Sequence, residues 1–148
     1  VTRERALEHH GHLYRFEERR NVTLSHAHGE TLAPLYQRAN LALAVRDDSE
    51  YLAFAMPVKI FEAISFGVPL VVSAGLRVVA DLVEREKLGW VIDTPDEFRG
   101  LLQRLADDPA ELARARARVG VARENHTWES RAREVVEALR AVRARRVT

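Results

Sequence analysis

The chain has no cysteine, very few lysines and no long apolar run, and these absences exclude several classes of protein. Without cysteine its 148 residues form no disulfide and no thiolate metal site, a composition compatible with a reducing cytoplasm, where we expect the protein to be located. Its apolar runs are only a handful of residues, far short of the ~20 that a membrane-spanning helix needs. The net charge of +1 creates no strong field that would favour nucleic acid or a membrane surface.

Several catalytic motifs are also missing. The sequence contains no Ser-His-Asp arrangement, no P-loop and no Rossmann glycine triplet, so hydrolase, NTPase and dehydrogenase functions have little support. Histidines are present at His9, His10 and His12 and in the pair His26-x-His28, but no acid or third ligand follows at a suitable spacing. We therefore interpret them as loop or surface histidines and expect no metal site.

The residues that are present alternate between strand and helix patterns. A content of 47% hydrophobic and 30% charged residues is typical of a soluble globular protein, and 148 residues suit one domain. The patterns predict strands at 22–26, 41–45, 70–73 and 90–92, and helices at about 4–18, 31–40, 57–66, 77–87, 95–107, 109–123 and from 127 onward. This alternation predicts an α/β fold with a doubly wound parallel sheet of at least four strands, followed by C-terminal helices.

The C-terminal helices carry clear start and packing signals. Thr94 to Glu97 form a capping box, and Asp108 with Pro109 begins the next helix in the same way. His126 is expected only to precede the last helix. One face of that helix is apolar and is expected to pack in the core: Trp128, Ala132, Val135, Leu139 and Val142.

The stretch from Met56 to Ala74, MPVKIFEAISFGVPLVVSA, is the most informative part of the chain. Pro57 suits the first position of a helix, and Gly67 suits the left-handed residue after its end. Leu70 to Val72 are apolar throughout, as in a strand buried on both faces. Glu62 is an acid among apolar helix neighbours, and acids are seldom buried without a partner. We therefore predict that Glu62 points into a ligand cleft, although an ion pair with Lys59, three residues away, is the plainer alternative.

Ligands of doubly wound sheets bind beyond the carboxyl ends of the strands. The loops expected at that edge are His26 to Glu30, Arg46 to Pro57 and Ser73 to Arg77. Helix N-termini beside such loops attract phosphate groups, and Gly75 would allow the backbone to approach a ligand closely.

The ordered motifs resemble a known family. In chain order these motifs are LYQRANLAL, a polar loop, PVKIFEAISFGVPLVVSA, LGWVID, DEFRGLLQRLADDPAEL and HTWESRAREVVEAL. Together they resemble the C-terminal, donor-binding domain of retaining glycosyltransferases with the GT-B fold (glycosyl transferases group 1 type). The similarity covers roughly residues 20–140. The resemblance implies a Rossmann-like domain that forms the donor half of an enzyme transferring a sugar from a nucleotide diphosphate to an acceptor hydroxyl, with retention.

The resemblance also implies site residues. Glu62 would accept hydrogen bonds from the two ribose hydroxyls, since a carboxylate offers two acceptor oxygens to a vicinal diol. The other residues implied at the ligand are Met56, Pro57, Val58 and Lys59 near the sugar or phosphates, and Ser73, Ala74 and Gly75 near the diphosphate or base. No catalytic residue is assigned. No metal or cofactor is implied, because the nucleotide-diphosphate sugar is the donor substrate.

Two departures from the family pattern leave alternatives open. Phe54 stands where many members carry a second acid, and Glu50 is the nearest acid upstream, so its contact with the sugar is an open question. The 148 residues contain no acceptor domain, and we interpret residues 1–148 as one nucleotide-sugar-binding domain from a two-domain protein. A non-catalytic nucleotide-sugar-binding or interaction module and a sugar-nucleotide epimerase are the alternatives. The nucleotide, sugar and acceptor are not identified by the sequence, and no nucleic-acid or membrane partner is indicated.

Overall fold

A computed structural model describes residues 21–23, 25, 27–46 and 50–145. The chain divides into two compact units, Val1–Arg38 and Ala39–Thr148, and each is described by itself. The helix predicted at 4–18 lies outside the described residues, as do Leu24 and His26 of the first predicted strand. Val22, Thr23 and Ser25 of that strand are described and are not in a strand.

The first unit contains a 3₁₀ turn at Gly29–Leu32 followed by helix α1 at Ala33–Arg38. Gly29 has a φ of 53°, in the left-handed region that favours glycine. The predicted helix began at residue 31, but Thr31 belongs to the 3₁₀ turn, and its hydroxyl bonds to His28, accepting from the backbone N–H at 2.9 Å and donating to the carbonyl at 2.8 Å. Thr31 therefore closes the turn that precedes the helix.

The second unit is a parallel sheet with helices. Its elements in chain order are β1 Ala42–Ala44, α2 Glu50–Ala53, α3 Val58–Ser65, β2 Leu70–Ser73, α4 Arg77–Glu86, β3 Gly89–Ile92, α5 Pro95–Asp107, α6 Pro109–Ala122, a 3₁₀ turn at Arg123–His126 and α7 Trp128–Arg145. The three strands pair in parallel in the order β1-β2-β3. The prediction of a parallel α/β sheet is confirmed, and three of the four predicted strands are present among the described residues.

Strand β2 is the centre of this sheet, and all four of its residues are buried. Val71 packs with Ile92 of β3 and with Leu101 and Leu105 of α5. Because side chains alternate along a strand, Leu70 and Val72 face the other side, where α3 and α4 contact β2. The prediction that this strand is covered on both faces is confirmed.

Strand β1 is less covered than its sequence indicates. The apolar run Leu41–Val45, predicted as a strand, has the pattern of a strand buried on both faces, but Leu43 is 58% exposed and Val45 is also exposed. Only β2 pairs with β1 within the described part of the chain. The exposed side of β1 therefore lacks the helix cover that would bury Leu43.

Helix α3 ends in a Schellman motif. Gly67 has a φ of 70°, the Gly67 N–H bonds to the Ile64 carbonyl at 2.9 Å, and the Val68 N–H bonds to the Ala63 carbonyl at 3.0 Å. This confirms the predicted role of Gly67. Pro57 is the N-cap residue and not the first helical residue, a shift of one position.

Helix α4 ends in the same motif, with Lys87, at a φ of 56°, in the position that Gly67 has after α3. The Leu88 N–H bonds to the Val83 carbonyl at 2.9 Å, and the Lys87 carbonyl accepts a hydrogen bond from Nε of Arg118 at 3.2 Å. Lys87 is a left-handed residue without the conformational freedom of glycine, so neighbouring contacts hold it in place.

Helices α5 and α6 begin as predicted, with one change in detail. Thr94 Oγ1 accepts from the Glu97 N–H at 3.2 Å, whereas the Glu97 carboxylate accepts from the Asp93 N–H at 2.8 Å, one residue before the position expected in a capping box. Asp108 Oδ1 accepts from the Ala110 N–H at 3.0 Å and begins α6. Side-chain acceptors therefore satisfy backbone donors at the start of both helices.

The apolar face of α7 is exposed, so the prediction that it packs in the core is wrong for the described structure. Trp128 is 88% exposed, and Ala132, Val135, Leu139 and Val142 are exposed as well. α7 contacts mainly the 3₁₀ turn at Arg123–His126, and no residue of α7 is buried. The periodicity correctly predicted an amphipathic helix, but periodicity does not reveal which surface covers the apolar face. None of the helices in the described ranges is long and apolar enough to cross a membrane.

We expect Gly89→Ala to lower the free energy of unfolding by about 3 kcal/mol or more. Gly89 has a φ of 158°, and an added Cβ would lie 1.9 Å from the Leu70 carbonyl oxygen, so the variant must move β3 away from β2. Gly100→Ala in α5 is the matched control, because a Cβ there meets nothing within 4 Å. In urea denaturation the control should gain about 0.5–1 kcal/mol from helix propensity. Equal stability of Gly89→Ala and wild type would contradict the close contact.

We also expect the acid sensitivity of the fold to depend on Glu111 of α6. Its carboxylate accepts hydrogen bonds from Nε of Arg104 at 3.1 Å and from Nε1 of Trp90 at 2.9 Å. These bonds, mainly the one from Arg104, hold the pKa of Glu111 below its ordinary value of 4.5. A carboxylate whose pKa is lower in the folded state than in the unfolded state stabilises the fold at pH values above 4.5. This contribution is lost as the pH falls through the folded-state pKa. Glu111→Gln should therefore reduce the loss of stability between neutral pH and pH below 4.5 in urea titrations.

The control for this measurement is Glu84→Gln, which changes an exposed glutamate of α4. It should retain the pH dependence of the wild type. A Glu111→Gln profile parallel to that of the wild type would show that the contacts with Arg104 and Trp90 do not contribute to acid sensitivity.

Candidate functional site

Glu62 lies in the middle of α3, about 6 Å along the helix axis from its first residue, Val58. Its neighbours Ile60, Ala63 and Ile64 are buried, and Glu62 itself is half-buried. Ser65 contacts only its backbone, donating from Oγ to the Glu62 carbonyl at 2.7 Å. Among the described residues the Glu62 carboxylate forms no hydrogen bond and no ion pair, so it is available to a ligand.

The ion pair between Lys59 and Glu62, which their spacing allows, is not formed in the described structure. Lys59 is exposed on the second position of α3, and no acid within the described ranges pairs with it. Lys59 and Glu62, one turn apart, therefore give this helix two separate charged groups that have no partner within the described ranges.

The N-termini of α3 and α4 both follow the carboxyl ends of strands. Pro57 precedes α3 and Leu76 precedes α4, and neither helix has a side-chain cap. The first backbone N–H groups of a helix have no partner within the helix, and the helix dipole adds partial positive charge there. Two uncapped helix N-termini at one edge of a sheet form an environment that favours a phosphate group.

The turn after β2 has a structural role of its own. Ser73 is buried, and its Oγ accepts from the Arg46 N–H at 2.8 Å, which ties the end of β1 to the end of β2. The Ala74 N–H bonds to the Ile92 carbonyl at 2.8 Å and ties the same turn to β3. The Ala74 amide is therefore occupied, whereas Gly75, the next residue of the turn, is half-buried.

The loop between β1 and α3 contains exposed side chains. Glu50, the open candidate for a sugar contact, is exposed at the start of α2. Tyr51 and Phe54 are 69% and 67% exposed and stack edge to face with their ring centroids 5.4 Å apart. Val58 is exposed, whereas Met56 and Pro57 are half-buried. The residues predicted in this loop therefore border solvent at the carboxyl end of β1.

The third predicted loop, His26 to Glu30, belongs to the first unit, and His26 is outside the described residues. His9, His10 and His12 are also outside them. Across residues 21–23, 25, 27–46 and 50–145, no group of three or more histidines and acids could hold a metal ion.

A separate cavity of about 700 Å³ lies at the opposite edge of the sheet. Its lining includes Arg85, Glu86, Arg118, Asn125, His126, Arg131 and Glu134. Glu86 ends α4 and therefore lies near the amino end of β3, away from the carboxyl ends of the strands. The cavity is therefore distinct from the predicted donor site.

His126 at this cavity is a residue that the sequence analysis missed. Its side chain is only 4% exposed, and its Nε2 lies 2.6 Å from Oε2 of Glu86, 40 residues earlier in the chain. Burial raises the pKa of Glu86, but the hydrogen bonds from His126 and Arg85 outweigh it, so the net shift is downward. Nothing local in the sequence marks this pair, because it depends on the packing of the 3₁₀ turn against α4.

The parallel α/β sheet is consistent with a Rossmann-like domain, and the Glu62 carboxylate, which has no partner among the described residues, lies on α3, whose N-terminus has no side-chain cap. The comparison with protein families gives the class more closely: the family described as glycosyl transferase-like matches residues 2–137. The chain belongs to this family. No curated protein and no solved structure matches the chain. The family membership agrees with the resemblance to the C-terminal domain of GT-B glycosyltransferases and supports a role in glycosyl transfer.

We expect Ser73→Ala to destabilise the second unit by about 0.5–1.5 kcal/mol, because the Arg46 N–H would lose its acceptor. Ser65→Ala is the matched control, since its hydroxyl is exposed and bonds only to a carbonyl of its own helix. The two variants should be compared by urea denaturation. A larger loss for Ser65→Ala than for Ser73→Ala would contradict the assigned role of Ser73.

Proposed function

We propose that this chain is the donor-binding part of a retaining glycosyltransferase that binds a nucleotide-diphosphate sugar and transfers the sugar to an acceptor hydroxyl. Membership of the glycosyl transferase-like family supports the reaction class. The observation that carries the proposal is the half-buried Glu62 carboxylate, which has no partner among the described residues and lies on α3, between β1 and β2 in the chain. A half-buried carboxylate without a partner is unfavourable unless a ligand supplies donors.

Glu62 binds the ribose in this proposal. Its two carboxylate oxygens accept from the two hydroxyls of the vicinal diol, and charge-assisted hydrogen bonds of this kind contribute about 1.5–3 kcal/mol each. Lys59, one turn earlier, has an exposed ammonium group that can pair with a phosphate. Both side chains belong to one short helix, so they hold the nucleotide in a defined orientation.

The diphosphate lies at the helix N-termini. The uncapped first turns of α3 and α4 supply backbone N–H groups and partial positive charge, which stabilise the negative charge that develops as the diphosphate leaves the sugar. Met56 and Val58 border the sugar, and Gly75 allows the backbone after β2 to approach the phosphates. Ser73 contributes by holding the ends of β1 and β2 together through the Arg46 N–H. No residue is assigned as an acid, base or nucleophile.

A turnover assay distinguishes the transferase proposal from the alternative of a non-catalytic module. Transfer or hydrolysis of the donor by the full-length gene product supports the enzyme. Nucleotide binding without either reaction, under conditions with a range of acceptors, supports the non-catalytic module.

We expect Glu62→Ala to weaken nucleotide binding by about 2–4 kcal/mol, which is less than the sum of two charge-assisted hydrogen bonds because water can partner the ribose hydroxyls once the carboxylate is removed. The measurement is calorimetric titration of the chain with UDP, GDP and ADP, followed by the variants with the nucleotide that binds. Glu62→Gln should fall between Ala and wild type, because its amide retains one acceptor oxygen.

Glu124→Ala, at an exposed position of the 3₁₀ turn after α6, is the control and should bind as the wild type does. Unchanged affinity of Glu62→Ala would remove Glu62 from the site. Absence of binding of all three nucleotides to the wild type would count against the proposed function.

A further inference from the structure

His126 connects four elements of the second unit. It ends the 3₁₀ turn Arg123–His126, its Nε2 lies 2.6 Å from Oε2 of Glu86 on α4, and its Nδ1 lies 3.2 Å from Nη2 of Arg131 on α7. Its ring contacts the ring of Phe61 on α3, with centroids 5.7 Å apart. A side chain that is 96% buried and bonded at both ring nitrogens is unusual so close to a surface.

The partners determine the tautomer of His126. A carboxylate only accepts hydrogen bonds and a guanidinium only donates them. Nε2 therefore carries the proton and donates to Glu86, whereas Nδ1 is unprotonated and accepts from Arg131. Only the neutral imidazole with its proton on Nε2 satisfies both contacts, because a protonated Nδ1 would oppose a donor with a donor.

The charged groups around His126 keep its two partners oriented. Glu86 also pairs with Arg85 at 3.3 Å on α4, and Arg131 also pairs with Glu134 at 3.0 Å on α7. From α6, Arg118 lines the same cavity and bonds to the Lys87 carbonyl. From α3, the group that faces His126 is the uncharged ring of Phe61.

The contact with Phe61 extends this network to the proposed donor site. Phe61 and Glu62 are adjacent in α3, a helix of eight residues that contacts the 3₁₀ turn, α6 and β2. A short helix has few contacts that fix its rotation and its position along its axis. The ring of His126 supplies one of these contacts, and its hydrogen bonds to Glu86 and Arg131 fix that ring.

We propose that His126 is a positioning residue for α3: its neutral ring, held by Glu86 and Arg131, supports Phe61 and thereby places Glu62 for ligand binding. The part of this inference that concerns ligand affinity rests on the proposed function. The part that concerns the tautomer and the order of α3 does not, and it can be tested without a ligand.

The first experiment is ligand-free. In ¹⁵N-labelled protein at neutral pH, the histidine signal that disappears in His126→Gln should have the two-bond pattern of an imidazole with a proton on Nε2 and none on Nδ1. A protonated Nδ1 at His126 would overturn the proposed contacts.

The second ligand-free experiment is hydrogen exchange. In His126→Leu the amides of α3 should exchange about tenfold faster relative to those of α5, because α3 loses a lateral support whereas α5 packs on the other face of the sheet. Asn125→Ala, in the same 3₁₀ turn and at the same cavity, is the matched control and should leave α3 protected. Equal exchange of α3 in His126→Leu and wild type would overturn the proposal, and His126→Gln replaces His126→Leu if the latter does not fold.

The third experiment couples His126 to Glu62. His126→Leu should weaken binding of the nucleotide diphosphate about tenfold in the wild-type background, and less than about twofold in the Glu62→Ala background. A role in stability alone would lower the melting temperature and leave the affinity of the folded protein unchanged, which would overturn the positioning role. If the wild type binds none of UDP, GDP and ADP, the proposed function fails, and the tautomer and exchange experiments decide this inference by themselves.

Discussion

The burial of β2 on both faces is the constraint on which the rest of the second unit depends. Its four residues contact α5 on one side and α3 and α4 on the other, so a change in its register would move the helices on both faces at once. At the start of β2, Leu70 lies against Gly89 of β3, and at its end Ser73 bonds to the Arg46 N–H that follows β1. These two contacts fix the ends of the strand pairing. The position of the candidate site follows, because α4 begins just after β2 ends and α3 follows the loop and short helix α2 that come after β1.

Local signals in the sequence predicted most of this unit. Gly67 requires left-handed backbone, Thr94 and Asp108 provide helix caps, and the continuous apolar run at Leu70–Val72 is typical of a strand buried on both faces; each depends on residues within a few positions. The errors concern contacts between distant parts of the chain. The spacing of Trp128 and Val135 revealed a helix with an apolar face but not its exposure, and the run at Leu41–Val45 did not reveal that Leu43 is exposed.

For the candidate site, too, features with a local signal could be selected from the sequence, whereas contacts between distant residues could not. Glu62 could be selected from the sequence because an acid among apolar helix neighbours is locally unusual, and its lack of a partner in the described residues agrees with that selection. The hydrogen bonds of Ser73 and Ala74 could not be predicted, since they join positions that are 27 and 18 residues from their partners. His126 could not be selected either, because its partners Glu86 and Arg131 are brought together by three separate elements.

The left-handed Lys87 at the end of α4 has a consequence for how stability could be adjusted in this protein. A residue with a Cβ in that conformation costs roughly 1–2 kcal/mol, which glycine would not. Arg118 partly offsets the cost by bonding to the Lys87 carbonyl, so α6 and the end of α4 depend on each other. A glycine at this position would relieve the backbone at a point remote from the carboxyl ends of the strands, so the thermal tolerance of the domain would rise without any change to the residues of the proposed donor site.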